Sequence, residues 1–196
     1  MKNQTTEDLE LEVKSLRRRL IEAQREIEIL RSKNGIPEEL FEKGLVDEYF
    51  FFRRLREAIR SSQRYARFFC VVRVDVNQES RDPNDADASR NLSVDTAFHI
   101  KRALRQTDVV ALMDSGQILV LFEELETSQA VQALRRIQED MMDLPSPNYS
   151  VVCFPSDGNQ EEHLLDVLNQ RIVKVNQSHL TGSVLGLGEE VLSLLN

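Results

Sequence analysis

The sequence predicts an α/β (α+β) fold in which helices flank a central sheet, preceded by a coiled-coil helix. Three observations support this prediction. A heptad pattern occupies the N-terminal segment, a helix stop follows at Asn34-Gly35, and apolar runs then alternate with amphipathic segments. With 196 residues, of which 41% are hydrophobic and 30% charged, the chain is suited to one folded domain plus an appendage.

Residues 5–34 are predicted to form a coiled-coil dimerisation helix. The apolar residues follow in steps of four and three, as d and a positions do, at Leu9, Val13, Leu16, Leu20, Ala23, Ile27 and Leu30. In this register Glu12 pairs with Arg17, and Glu26 with Arg31, across a parallel homodimer. The alternative is a helix packed on its own domain, although such a helix usually has a wider apolar stripe.

A globular domain is predicted over residues 36–196, because Gly35 and Pro37 end the first helix. Apolar periodicity and turn residues predict the order of its elements. These are a helix at 47–64, a strand at 68–76, a polar loop at 77–92, a helix that Ser93 caps and that ends near Asp108, a hairpin of 109–113 and 118–122, a helix from 127 or 128 to 142, a strand at 150–154, a helix at 161–173, and a strand near Val184.

The bulk properties argue against several classes of partner. A net charge of -8 and a pI near 5.0 disfavour polymeric nucleic acid and anionic lipid surfaces. The sequence shows no signal peptide and no apolar run of membrane-spanning length, so we expect a cytoplasmic protein without membrane insertion. Cys70 and Cys153 lie in apolar runs without metal-type spacing, which favours buried reduced thiols over a disulfide or a zinc site.

Three segments, in this order, resemble the GGDEF domain, the fold of diguanylate cyclases. They are the opening turn and helix, the segment that leads into the signature hairpin at 104–111, and a later turn between a strand and a helix at 154–158. The resemblance covers about residues 44–171 and implies a nucleotidyl-cyclase-like central sheet flanked by helices. The first and last segments carry the likeness at Gly44, Leu45, Phe51, Leu55, Phe154, Pro155, Asp157 and Gly158.

The catalytic signature of active family members, Gly-Gly-acid-Glu-Phe, is degenerate here and reads Asp114-Ser115-Gly116-Gln117-Ile118. Active members condense two GTP molecules into cyclic di-GMP, using Mg²⁺ ions held by carboxylates at the third signature position and at the end of the first strand. Gly116 at the third position has no side-chain ligand for a metal, and the Gln117 amide cannot take a proton at neutral pH. The resemblance therefore implies a chain without the catalytic acids.

The strand acid of active members corresponds to Asp75 or, with a shift of two residues, to Arg73, which would remove this acid as well. Asp114 and Ser115 replace two glycines and add bulk and a negative charge where a triphosphate would lie. We therefore expect no catalytic residues, no metal site, no cofactor and no cyclase activity.

The family's product-inhibition site is an Arg-x-x-Asp motif five residues before the signature, and Arg105 and Asp108 stand at this spacing. A second arginine on the helix after the hairpin corresponds to Arg136, with Arg135 as its alternate. Guanidinium groups can bind phosphate or the guanine O6/N7 edge, and a carboxylate can accept from guanine N–H groups. The competing interpretation is a helix-end salt bridge, worth about 0.2–0.5 kcal/mol.

The sequence therefore predicts a catalytically inactive cyclic di-GMP receptor that signals to an unidentified protein partner. Cyclic di-GMP is its regulatory ligand, held by Arg105, Asp108 and Arg136 or Arg135. The alternative, from a different class, is a dimeric scaffold that presents surfaces for protein binding without any ligand.

Overall fold

The computed structural model describes residues 13, 16, 17, 38–76, 86–141, 144–186 and 190–194. Contacts divide the chain into two units, Met1–Ile36 and Pro37–Asn196. The predicted coiled coil at 5–34 lies outside the described residues, apart from three positions. Val13, Leu16 and Arg17 are helical, and the side chains of Val13 and Leu16 are exposed. The coiled-coil dimer stays a prediction.

The second unit alternates helices and strands. Its elements, in chain order, are α1 (Glu38–Glu42), β1 (Leu45–Val46), α2 (Glu48–Tyr65), β2 (Phe69–Asp75), α3 (Ala86–Ala103), β3 (Val109–Leu112), β4 (Ile118–Glu123), α4 (Thr127–Asp140), β5 (Asn148–Phe154), α5 (Glu161–Gln177), β6 (Ser183–Leu185) and β7 (Leu192–Ser193). None of the described helices is both long and apolar enough to cross a membrane.

The strands form one mixed sheet in the order β1-β3-β4-β2-β5-β6-β7. The central strand β2 runs antiparallel to β4 and β5, β3 and β4 form the predicted hairpin, and β1 and β6 add parallel to β3 and β5. The predicted fold class, a central sheet flanked by helices, is confirmed. The short strands β1 and β7 were not predicted, because two residues are too few for an alternating pattern.

Alternate residues of the sheet point to opposite faces, and each face is covered by two helices. On one face α2 and α5 pack against Val71, Leu121 and other strand residues to form the main apolar cluster. The opposite face carries buried residues such as Val72 and Val120, against which α3 and α4 pack. The position of α3 and α4 matters for function, because the candidate site lies between them.

The helix α2 shows how local sequence sets these elements. Asp47 is its N-cap, and its side chain accepts a hydrogen bond from the Phe50 N–H at 2.7 Å. Phe51, Leu55 and Ile59 recur at intervals of four and are buried, so one stripe of the helix faces the sheet.

The expected bounds of α3 were wrong at both ends. Part of the predicted loop, residues 77–85, lies outside the described residues, and the helix already begins at Ala86. Ser93 is not its cap, since it lies inside the helix and donates to the Ser89 carbonyl at 3.2 Å. Most side chains in the early turns of α3 are exposed, so apolar residues do not recur there at helical spacing and the start of the helix could not be predicted.

The expectation of two reduced thiols is also wrong, because Cys70 and Cys153 form a disulfide. The physical reason is strand register. The two cysteines lie directly opposite each other on β2 and β5, with Cα atoms 4.1 Å apart. A sequence separation of 83 residues gives no sign of this pairing.

Candidate functional site

A groove of about 480 Å³ lies between the turn that joins α3 to β3 and the exposed side of α4. All four residues predicted to bind ligand, Arg105, Asp108, Arg135 and Arg136, line it. Its volume falls within the range of about 300–1,000 Å³ that is usual for small-molecule sites. The fold thus brings together residues that are about thirty positions apart in the sequence.

The helix α4 supplies one wall of this groove. Gln129, Gln132, Ala133 and Arg136 lie at helical spacings of three, four and seven, so they share the side that faces the turn. The start of this helix is fixed by a capping box, in which Gln129 Oε1 accepts from the Glu126 N–H at 3.0 Å.

The opposite wall is the turn at 105–108, which lies after the end of α3 and not within it, contrary to expectation. Two bonds close this turn. The Asp108 N–H donates to the Arg105 carbonyl at 3.1 Å, and the Arg105 N–H donates to Asp108 Oδ2 at 3.1 Å. The Arg105 backbone therefore holds the Asp108 carboxylate, and the Arg105 side chain is left exposed. This geometry is not the side-chain salt bridge of the competing interpretation.

Asp108 is the unusual member of the site, because a charged side chain is only 3% exposed. Its second oxygen, Oδ1, is buried, and no described residue meets the geometry of a hydrogen bond to it, although the Glu123 N–H is near enough to the carboxylate to lower its pKa. Burial raises the pKa of Asp108, and this effect outweighs the backbone N–H groups of Arg105 and Glu123 and the charges of Arg105 and Lys101, which lower it. Asp108 thus contributes to the groove a buried carboxylate, one oxygen of which has no hydrogen-bond partner among the described residues.

The three arginines give the groove a local positive charge in a chain of net charge -8. Within the described part of the chain, no ion pair involves Arg105, Arg135 or Arg136. All three side chains are exposed. A ligand with negative charge would therefore meet guanidinium groups that need not first break an internal pair.

The residues predicted to correspond to the catalytic signature, 114–118, form the loop of the β3–β4 hairpin and the start of β4. Gly116 N donates to the Met113 carbonyl and Met113 N donates to the Gln117 carbonyl, both at 2.8 Å. Gly116 has φ +79, a left-handed conformation that closes the three-residue loop and that favours glycine. Asp114 and Ser115 are exposed, and Ile118 is buried at the start of β4.

The carboxylate at the end of β2 is hydrogen-bonded. Asp75 Oδ2 accepts from the Asn176 amide at 2.6 Å, and Arg73 Nη1 donates to Asn169 Oδ1 at 2.6 Å. The groups at this end of the sheet are therefore a hydrogen-bonded acid, a guanidinium, the exposed Asp114 and Gly116, which has no side-chain ligand atom. Among the described residues, no three His, Cys, Asp or Glu side chains cluster to hold a metal ion. This set does not fit the Mg²⁺ ions that the resemblance implies for active members.

The groove and the loop of the β3–β4 hairpin lie at opposite ends of β3. The turn at 105–108 precedes this strand and the loop follows it, so four residues, or about 13 Å at roughly 3.3 Å per residue, separate them. Changes in the hairpin loop therefore need not alter the groove.

Sequence reasoning missed Gln132 and Lys101. Gln132 lines the groove, and its spacing from Arg136 on one helix face could have identified it. Lys101 donates from Nζ to the Asp108 carbonyl at 2.7 Å, a contact between α3 and the turn that no local pattern indicates.

Comparisons with known proteins gave structural matches only. No family model matches the chain, and no curated protein matches its sequence. The GGDEF domain of YfiN (TpbB) from Pseudomonas aeruginosa superposes with a TM-score of 0.65 at 18% identity, covering 76% of this chain and 99% of that domain. The structure of diguanylate cyclase SiaD from the same organism, in complex with its activator SiaC, superposes with a TM-score of 0.66 at 17% identity. The match covers 94% of this chain and 74% of the SiaD chain.

A third structure includes a coiled coil. The coiled coil and GGDEF domain of DgcB from Caulobacter crescentus, in complex with c-di-GMP, gives a TM-score of 0.59 at 12% identity over 88% of this chain and 99% of that chain. Sequence identities this low show a similarity of fold and nothing more. The chain therefore has the fold of the GGDEF domains of diguanylate cyclases.

Proposed function

We propose that this chain is a catalytically inactive receptor for cyclic di-GMP, which binds in the groove between the turn at 105–108 and α4. The observation that carries the proposal is the buried Asp108 carboxylate, with one oxygen unpaired, in a groove lined by three arginines without ion pairs among the described residues. A buried acceptor left unpaired costs about 1–3 kcal/mol, and a ligand that donates to it recovers this cost.

The chemistry of the groove matches both parts of a cyclic guanine dinucleotide. Guanidinium groups bind phosphates or the O6/N7 edge of guanine through paired N–H donors. The Asp108 carboxylate accepts from guanine N–H groups. Micromolar affinity needs about 8 kcal/mol, which several charge-assisted hydrogen bonds of roughly 1.5–3 kcal/mol each can supply.

The comparisons support this choice of ligand by analogy. DgcB was solved in complex with c-di-GMP, both as the isolated GGDEF domain and together with its coiled coil. These complexes concern DgcB. For this chain, they make cyclic di-GMP the first ligand to test.

The proposed lack of enzyme activity rests on the residues that replace the catalytic acids. Gly116 and Gln117 offer no carboxylate, and the Asp75 carboxylate is already hydrogen-bonded to Asn176. Incubation with GTP and Mg²⁺, followed by chromatography, should show no cyclic di-GMP.

We further propose that ligand occupancy is passed to a protein partner through a homodimer held by the coiled coil at 5–34. A ligand can shift the arrangement of two domains only if it binds one arrangement more tightly. Protein partners occur with this fold, since SiaD was solved with its activator SiaC.

Isothermal titration calorimetry with cyclic di-GMP tests the receptor proposal directly. Arg105→Ala should weaken binding by about tenfold to a hundredfold, the loss of one or two charge-assisted hydrogen bonds. Arg102→Ala is the matched control, because Arg102 is exposed in the last turn of α3 but does not line the groove. Equal titrations for wild type and Arg105→Ala would refute this site, and no heat with wild type would favour the ligand-independent scaffold.

A further inference from the structure

Lys101 connects three parts of the fold next to the groove. It lies in the last turn of α3 and is partly buried. Its Nζ donates to the backbone carbonyl of Asp108 at 2.7 Å, and its aliphatic chain crosses Gly44, which precedes β1. Ordering a long lysine side chain costs up to about 2 kcal/mol of conformational entropy, so a specific contact must offset this cost.

Gly44 makes room for this path. Its φ is +84, and a Cβ at this position would lie 3.2 Å from Lys101 Cε and 3.7 Å from Lys101 Cγ. A larger residue would therefore crowd the lysine chain that reaches the turn at 105–108. The Lys101 side chain thus passes over Gly44, which lies just before β1.

The charge of Lys101 also acts on the Asp108 side chain. The groups that act on the Asp108 carboxylate are Lys101 from α3, Arg105 from the turn and the Glu123 backbone from β4. Arg135 and Arg136 of α4 line the same groove. Burial lowers the pKa of Lys101 and the Asp108 charge raises it, as expected for an ammonium group beside a carboxylate. Lys101 does not line the groove, so it is placed to act on Asp108 and not on the ligand.

We propose that Lys101 is a positioning residue for the groove, which holds the turn at 105–108 through the Asp108 carbonyl and keeps a positive charge beside the carboxylate that receives the ligand. The inference rests on the proposed function, because it assigns Lys101 a role in cyclic di-GMP binding. Its effect is to maintain Asp108 as an ionised acceptor despite burial.

The first test needs no ligand. The titration of the Asp108 carboxyl carbon is followed by NMR in the full-length protein, with the resonance assigned from the spectrum of Asp108→Asn. In Lys101→Met and Lys101→Gln the midpoint should move to higher pH, since a nearby positive charge is lost. Lys101→Arg should stay close to wild type. Arg102→Met, which removes an adjacent exposed charge, should leave the midpoint unchanged.

The second test is calorimetry with cyclic di-GMP on the same variants. Lys101→Met should bind about tenfold more weakly at neutral pH, and its deficit should grow as the pH falls. Lys101→Gln retains a hydrogen-bond donor and separates the role of the bond from that of the charge, and Lys101→Arg should restore binding.

The outcomes separate the two proposals. Absence of binding by wild type would defeat the proposed function. Wild-type binding together with an unmoved Asp108 midpoint and full affinity in Lys101→Met would overturn only the role of Lys101. An equal loss of affinity in Arg102→Met would also overturn it, because the effect would then be one of general charge.

Discussion

Asp108→Asn is expected to stabilise the fold and, at the same time, to weaken cyclic di-GMP binding. The carboxylate is 3% exposed, and one of its oxygens is buried without a hydrogen bond to the described residues. Asparagine has the same shape and keeps an oxygen that can accept from the Arg105 N–H, but it carries no charge. Most substitutions of buried groups destabilise a protein, so the opposite result would be informative.

The magnitude follows from the unpaired oxygen. An unsatisfied buried acceptor costs about 1–3 kcal/mol, and the asparagine amide, which also lacks a partner, retains part of this cost. We therefore expect a gain of about 1 kcal/mol at neutral pH, or roughly 2–4 °C in melting temperature for a chain of this size. The loss of an ionised acceptor should weaken cyclic di-GMP binding by about tenfold or more.

The gain in stability should depend on pH with a defined sign. Because the pKa of Asp108 is raised above its ordinary value of 3.8 in the folded state, the folded protein holds this proton more tightly than the unfolded chain. The stability of wild type thus falls as the pH rises through the interval above 3.8. The advantage of Asp108→Asn should be largest above the raised pKa of the folded state and should shrink toward zero as the pH falls to 3.8.

Urea unfolding followed by circular dichroism, in a series from neutral to mildly acidic pH, measures this difference. Asp114→Asn is the matched control, because Asp114 is exposed and its loss should change stability by no more than about 0.5 kcal/mol. A wild type that is more stable than Asp108→Asn at neutral pH would contradict the reasoning. So would a gain that does not depend on pH.

Two further predictions concern the core and the stalk. Arg171 Nη2 pairs with Asp157 at 2.5 Å, and the two side chains are only 14% and 6% exposed. Arg171→Ala should therefore lower the free energy of unfolding in urea by about 3–5 kcal/mol, whereas Arg60→Ala, at an exposed position, should lower it by no more than about 0.5 kcal/mol. Equal losses in the two variants would refute the importance of the pair. Leu16 is exposed in the single chain and occupies a predicted core position of the coiled coil at 5–34. Leu16→Asp should therefore convert a dimer into a monomer in sedimentation velocity. A monomeric wild type would rule out the coiled-coil dimer.

Much of the fold could be predicted from local sequence. The apolar runs that became β2, β3 and β4 are buried throughout almost their whole length, so their hydrophobicity is visible without knowledge of their neighbours. Arg105 and Asp108 were predicted from the resemblance to the GGDEF domain and from their position before the hairpin. These features depend on residues close together in the chain, so the sequence alone is enough to predict them.

The predictions that failed depend on contacts between distant segments. The early turns of α3 are exposed and lack an apolar period, and the pairing of Cys70 with Cys153 follows from the register of β2 and β5. The sequence likewise gave no reason to connect Lys101 with the Asp108 carbonyl, because that contact requires the path across Gly44.

The sequence by itself determined the fold class, and its resemblance to the GGDEF domain predicted which residues could bind a dinucleotide. Only the tertiary structure decided that α4 lies beside the turn at 105–108, and that Asp108 is buried with one oxygen unpaired. The physical reason is that residue types and periodicity are local properties. Burial and the pKa of a carboxylate depend on every element packed around it, and those elements come from distant parts of the chain.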